Sequence, residues 1–167
     1  VTPSELADAL RAGDHGVVVE SRGEVTLIVG REALPSTLAA LRADVALGFD
    51  SLSDVAAADW PGRDPRIWIA YHLYSMDHHH RLRVKVGVAE DDPHVPSVSA
   101  AYPTADWLER EVFDFFGVIF DGHPDLRRIE LPESWETFPL RKDHPLDGVP
   151  VRFGDGAFIP PPDQRDT

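Results

Sequence analysis

The chain has no cysteine among its 167 residues, a single methionine, and only 16 basic residues against 29 acidic ones. Without thiols there is no disulfide, no cysteine nucleophile, no zinc ribbon and none of the thiolates that normally hold iron–sulfur clusters. A net charge of −13 creates a field that repels phosphate backbones and anionic lipid, which argues against a nucleic-acid partner. No apolar run approaches the roughly 20 residues that span a bilayer. The opening VTPSELADALRAG has neither the basic nor the greasy region of a secretion signal, so the expectation is an untargeted cytoplasmic chain. Neither GxGxxG nor GxxxxGK[ST] occurs, and neither NADH nor ATP is expected to bind directly. With no GxSxG turn and no cysteine, a serine or thiol triad has no support either.

What is present fits a globular domain: 43% hydrophobic and 27% charged residues. Thr2, Pro3 and Glu5 spell a capping box for a first helix with Leu6, Ala9 and Leu10 on one face, stopped by a left-handed residue at Gly13. Val17–Val19 and Val25–Val29 read as strands around the turn SRGE. From Pro35 a second helix turns Leu38, Leu41 and Val45 inward, and Phe49–Ala57 reads as another short helical piece. The turn DWPGRDP follows.

The clearest strands come next. Ile67, Ile69, Tyr71 and Leu73 alternate in one, and Leu82, Val84, Val86 and Val88 in the other, whose opposite face carries Arg81, Arg83 and Lys85. After the loop AEDDPHVPSVSAAYP, Thr104 caps a helix bearing Trp107, Leu108, Val112, Phe115 and Phe116 and ending at Gly117. Beyond it, prolines at 124, 132, 139, 145, 150 and 160–162 forbid long helices and central strands. The fold class is α+β: a small mixed, largely antiparallel sheet with helices on one face and an extended irregular C-terminal arm. Residues 1–121 form the core domain and 122–167 the proline-rich arm and tail.

Several constellations invite chemistry. His78, His79 and His80 are consecutive on a hairpin tip, where rings diverge, so a solvated turn is favoured over a metal site. Glu111 and Asp114 share a helix face by i,i+3 spacing, and Arg110 can pair with Asp114 by i,i+4, which favours local ion pairing over acid–base work. A stand-alone hydrolase using Glu111 or Asp114 with His123 is the distant rival. His123, Asp125, Arg127 and Arg128 sit on irregular backbone, and the arginine forks suit clamping carboxylates of another chain.

The stretch TADWLEREVFDFFGVIFDGHPDLRRIELPESWETFPLRKDHP resembles the 30-kilodalton subunit family of respiratory complex I, known in bacteria as the C subunit of NADH:quinone oxidoreductase. The likeness extends upstream through YHLYSMDHHHRLRVKVGVAEDDPHVPSV and FDSLSDVAAADWPG and weakens toward residue 1. Its hallmark residues are Glu109, Arg110, Glu111, Asp114, Phe115, Phe116, His123 and Arg127. Two positions depart: Glu130 replaces a usually aliphatic residue, and Thr137-Phe138 replaces a glycine followed by His or Phe.

The resemblance implies a structural subunit with no catalytic, cofactor-binding or metal residue of its own, in the quinone-connecting part of the peripheral arm on the cytoplasmic face of the membrane. NADH, flavin, iron–sulfur clusters and quinone would belong to the whole complex, and the neighbours would be subunits D, B and I. The implied motif and interface residues are Glu109, Arg110, Glu111, Asp114, His123, Pro124, Asp125, Arg127, Arg128, Trp135, Phe138, Pro139, Leu140, Arg141 and Lys142. Related membrane-bound hydrogenases and reduced-deazaflavin dehydrogenases share the module, so the electron donor stays open. If Arg128 or Arg141 is buried against a partner carboxylate, its replacement by alanine is expected to loosen the complex by about 2 kcal/mol or more.

Overall fold

The computed structural model describes residues 1–144 and, as backbone, the strand pair Val151–Arg152 and Phe158–Ile159. The Pro160–Pro162 run and most of the predicted tail lie outside the described residues.

Helix α1 (Pro3–Ala12) begins as its sequence dictates: the Thr2 hydroxyl accepts from the Glu5 N–H at 3.3 Å, and the Glu5 carboxylate accepts from the Thr2 N–H at 2.8 Å. Leu6, Ala7 and Leu10 are buried beneath it. Gly13 is right-handed, and the left-handed turn falls one residue later, on Asp14. Strands β1 (Val17–Ser21) and β2 (Glu24–Ile28) close over Arg22 and Gly23, both at positive φ, as a two-residue hairpin requires. A single 3-10 turn, Arg31–Ala33, leads into α2 (Leu34–Ala43), whose Leu34, Leu38 and Leu41 are fully buried. Val45 lies beyond the end of α2 and is 88% exposed, against the inward position expected of it.

The segment expected to continue as helix is instead β3 (Ser51–Asp59), paired antiparallel with β4 (Ile67–Tyr74). A bulge between Leu52 and Asp54 inserts one residue, so the buried Leu52 and Val55 stand three apart. That spacing imitates a helix, and the alanine run supports the imitation, but pairing with β4 overrides local propensity. Strand β5 (Arg81–Val88) pairs with β4 antiparallel and with β2 parallel, which gives the order β1-β2-β5-β4-β3. Ile67, Ile69, Tyr71, Leu73, Leu82, Val84, Val86 and Val88 all face the core.

Helix α3 (Ala105–Phe116) packs on β3. Thr104 does not cap it: that residue is itself right-handed, and its hydroxyl donates to the Leu52 carbonyl. Two strands were hidden in segments that looked irregular. β6 (His94–Pro96) and β7 (Ile119–Asp121) form a short parallel pair on either side of α3. At three residues each they are too short to show periodicity. The final pair, β8 (Val151–Arg152) and β9 (Phe158–Ile159), is antiparallel and separate.

Gly117 ends α3 with φ +76°, and a Cβ there would come within 2.5 Å of the Phe138 ring. The position therefore needs glycine for both its backbone angle and its space. Gly117→Ala is expected to lower stability by more than about 1 kcal/mol, measured by urea unfolding. An unchanged midpoint would mean that Phe138 does not rest there.

Candidate functional site

Helix α3 buries three charged residues, Glu109, Arg110 and Asp114. A buried charge persists only where hydrogen bonds or an ion pair replace water, so the partners of these groups define the site. They lie on both sides of the helix in sequence.

Glu109 reaches back to the segment before α3. One carboxylate oxygen accepts from the Val98 N–H at 2.8 Å and the other from the Ser97 hydroxyl at 2.6 Å. Burial raises its pKa, and the bonds from Ser97 and Val98 offset that only in part.

Asp114 reaches forward. One of its oxygens receives the N–H groups of Ile129, Glu130 and Leu131 at 3.0, 2.8 and 3.0 Å, while the other takes the Arg128 guanidinium at 2.6 Å. The desolvation of this carboxyl is its largest single influence and acts upward. The bonds from Leu131, Arg128, Glu130 and Ile129 together outweigh it and leave the pKa below the usual carboxylate range. Arg128 also donates to the Thr137 carbonyl at 3.2 Å and stands 5.2 Å over the Phe138 ring.

Arg110 does not pair with Asp114, as helical spacing suggested. Its Nε donates to the Arg127 carbonyl at 3.2 Å, its nearest carboxylate is Asp125 at 4.0 Å, and its guanidinium lies 4.6 Å from the Trp107 ring centre. The i,i+4 geometry is available, but the long-range partners satisfy both charges better. Arg128 likewise clamps a carboxylate of its own chain.

His123 is fully buried in its side chain. Its Nδ1 accepts from the Asp125 N–H at 3.0 Å, so the ring proton sits on Nε2, which donates to the Asp106 carbonyl at 3.0 Å. Glu111 is exposed, and the nearest carboxylates to this ring are Asp106 and Glu109 at 3.5 and 3.9 Å. Glu111, Asp114 and His123 are thus not brought together, and the geometry offers no acid–base pair to a cleft.

The rest of the predicted set follows the same chain path. Arg127 is 64% exposed and pairs with Asp125 at 2.9 Å. Pro124 is exposed, and Trp135 and Pro139 are half-buried. The Leu140 N–H donates to the Phe115 carbonyl at 3.2 Å, and the Lys142 N–H to a carboxylate oxygen of Asp59 at 2.7 Å. The departure at Glu130 has a simple reading: only its backbone N–H serves Asp114, and its side chain is exposed.

Sequence reasoning missed a second buried centre. Asp59 and Arg66 flank the DWPGRDP turn and form a two-pronged ion pair at 2.7 and 2.8 Å. Arg66 also holds Glu90, and Asp143 at 3.2 Å, while Arg141 approaches Glu90 at 3.5 Å. The Arg66 bond, against desolvation and with help from the Lys142 N–H, keeps the Asp59 pKa low. Opposite charges at the two feet of a hairpin were the available signal.

Among the described residues no group of three or more His, Cys, Asp or Glu is placed to hold a metal ion. His78 and His80 bond the carbonyls of Val45 and Leu47 through Nε2 at 2.9 and 2.6 Å, and His79 meets the Tyr74 hydroxyl at 3.1 Å. No helix among the described residues is long and apolar enough to cross a membrane.

A family model described as the 30 Kd subunit of respiratory-chain NADH dehydrogenase matches residues 27–150. The NADH-quinone oxidoreductase C subunit of Mycobacterium sp. (strain KMS) is 47% identical over 96% of this chain and 73% of the relative. The protein of the same name from Salinispora arenicola (strain CNS-205) is 49% identical over 96% and 68%. Among solved structures, the trypsin-resistant fragment of Nqo5 is 31% identical with a TM-score of 0.64, covering 74% of this chain and 98% of the fragment. A chain of an archaeal membrane-bound sulfane sulfur reductase shares the fold at a TM-score of 0.66 and 24% identity, over 86% of this chain and 85% of that one.

Two measurements test the buried centres. Arg128→Ala leaves Asp114 charged and buried, with an expected loss of about 3 kcal/mol in chemical unfolding. A loss within experimental error would place Asp114 in water. The carboxylates also differ in the sign of their pH dependence. Asp114 is depressed, so its stabilisation is present above the unfolded pKa and lost as pH falls through the folded value. Glu109 is raised, so its advantage is present below the unfolded pKa and lost as pH rises through the folded value. Wild type should therefore lose ground to Asp114→Asn and gain it on Glu109→Gln as pH drops through the carboxylate range, read from thermal midpoints.

Proposed function

Because the chain belongs to the 30-kilodalton subunit family of respiratory-chain NADH dehydrogenases, we infer that it is a structural, cofactor-free subunit of the peripheral arm of an NADH:quinone oxidoreductase. In this reading it sits at the cytoplasmic face of the membrane and docks against subunits D, B and I. NADH, flavin, iron–sulfur clusters and quinone are handled by its neighbours, and the isolated chain carries no catalytic step of its own.

One observation carries the reading. Buried charged groups of α3 and its surroundings are spent on fixing backbone: Glu109 holds the approach to the helix, while Arg110, Asp114 and His123 hold the segment after it. A loop and arm so restrained lose little entropy when a partner binds, which is how a preorganised surface gains affinity. Residues 122–144 form that surface, with Arg127, Leu140 and Lys142 as its best outward-facing candidates and the half-buried Trp135 beside them. The core domain 1–121 supplies the platform.

Separating scaffold from surface gives the test. A tagged copy in cells should co-purify under mild detergent with the other subunits and with quinone-reductase activity, while the purified chain alone shows no flavin or cluster absorbance. Arg127→Glu should lower that co-purification while leaving the thermal midpoint of the chain unchanged, because its side chain is largely exposed. Arg128→Ala should lower both. Full recovery of the assembly with Arg127→Glu would remove this loop from the interface.

A further inference from the structure

The helices cover one face of the five-stranded sheet, and strand register shows what the other face presents. Reading across β1, β2, β5, β4 and β3, the partners are Val17, Ile28, Lys85, Ala70 and Ala56 in one row, and Val19, Thr26, Arg83, His72 and Asp54 in the next. Trp68 and Tyr74 flank these rows on β4. The first row is four apolar residues with one lysine near its middle. Val17 is 63% exposed and Val19 42%, whereas a sheet face meant for water carries polar residues at such positions.

The charges on this face run against the chain. Among the described strand residues of this face, Arg81, Arg83 and Lys85 are opposed by Glu24 and Asp54, on a protein of net charge −13. Arg83 is paired with Glu24. Lys85 and Arg81 instead lie over aromatic rings, 5.3 Å from the Trp68 ring and 5.8 Å from that of Tyr74. Ring contact steadies each cation without neutralising it, so both keep their charge for an incoming carboxylate.

We propose that this open sheet face is a second docking surface, apart from the loop and arm, and that its occupant is an acidic amphipathic helix of a neighbouring subunit laid across the strands. Aliphatic side chains of that helix rest on the row from Val17 to Ala56, and its carboxylates meet Lys85 and Arg81. Charge complementarity and the exposed valines select this occupant. An anionic membrane would meet the same cations, and the crosslinking arm of the test below separates it from a helix. The proposal rests on the subunit reading given above.

The test uses the whole complex. Arg81→Glu with Lys85→Glu should reduce recovery of this subunit with its companions by about tenfold or more at moderate salt, without lowering the thermal midpoint of the purified chain. Independently, a photo-crosslinking amino acid at Val17 of an otherwise unchanged subunit should label a carboxylate-rich helical peptide of another subunit. That second result decides the matter if the double variant does not fold. Undiminished recovery of a folded double variant overturns the proposal, as does crosslinking to lipid, to a second copy of this chain or to nothing, while the subunit reading stands. Recovery of the unaltered chain without companions defeats that reading, and this proposal falls with it.

Discussion

The loop that follows β7 depends first on a single buried carboxylate, Asp114. After β7 the chain carries prolines at 124, 132 and 139, and over residues 122–144 it enters no helix or sheet ladder. Unpaired N–H groups at a protein interior are costly. Asp114 solves this by acting as a surrogate partner for three consecutive N–H groups, at Ile129, Glu130 and Leu131, while Arg128 balances its charge. An uncharged side chain there could supply neither the acceptor strength nor the anchor for Arg128, whose second fork reaches the Thr137 carbonyl. The irregular run is therefore as determined in position as a strand.

From that point the arm returns to the core in steps. Phe138 closes over Gly117, Leu140 bonds the end of α3, and Lys142 reaches Asp59 on the edge strand β3. Asp59 is available because Arg66 satisfies its charge, and Arg66 in turn recruits Asp143. Two buried arginine–aspartate pairs thus pin the two ends of the described arm. Buried ion pairs of this kind contribute little net stability compared with apolar packing, but breaking one is expensive. Their effect is to select one path for the chain over many of equal hydrophobicity.

The sequence showed the sheet's centre plainly, since Ile67–Leu73 and Leu82–Val88 alternate without interruption, and it showed the capping box of α1 and the glycine stop of α3 as well, though not the left-handed turn at Asp14 or the uncapped start at Thr104. What it concealed has physical causes. The bulge in β3 turned a period of two into a spacing of three, and β6 and β7 are shorter than any period. At the site, the residue types were legible but their partners were not. Helical spacing offered Arg110 to Asp114, whereas the fold supplied Arg128 from fourteen residues away. Local geometry lists the possible pairs; only the path of the loop decides among them.

A buried cluster of Glu, Asp, His and Arg with shifted ionisation ordinarily suggests a catalytic centre. Here both His123 nitrogens, both Glu109 oxygens and both Asp114 oxygens have partners within the chain, and most of those partners are backbone groups. The shift of Glu109 is the cost of burying a restraint, and the opposite shift of Asp114 measures how fully that restraint is met. The perturbed ionisation of Glu109 and Asp114 therefore accompanies the fixing of backbone on either side of α3.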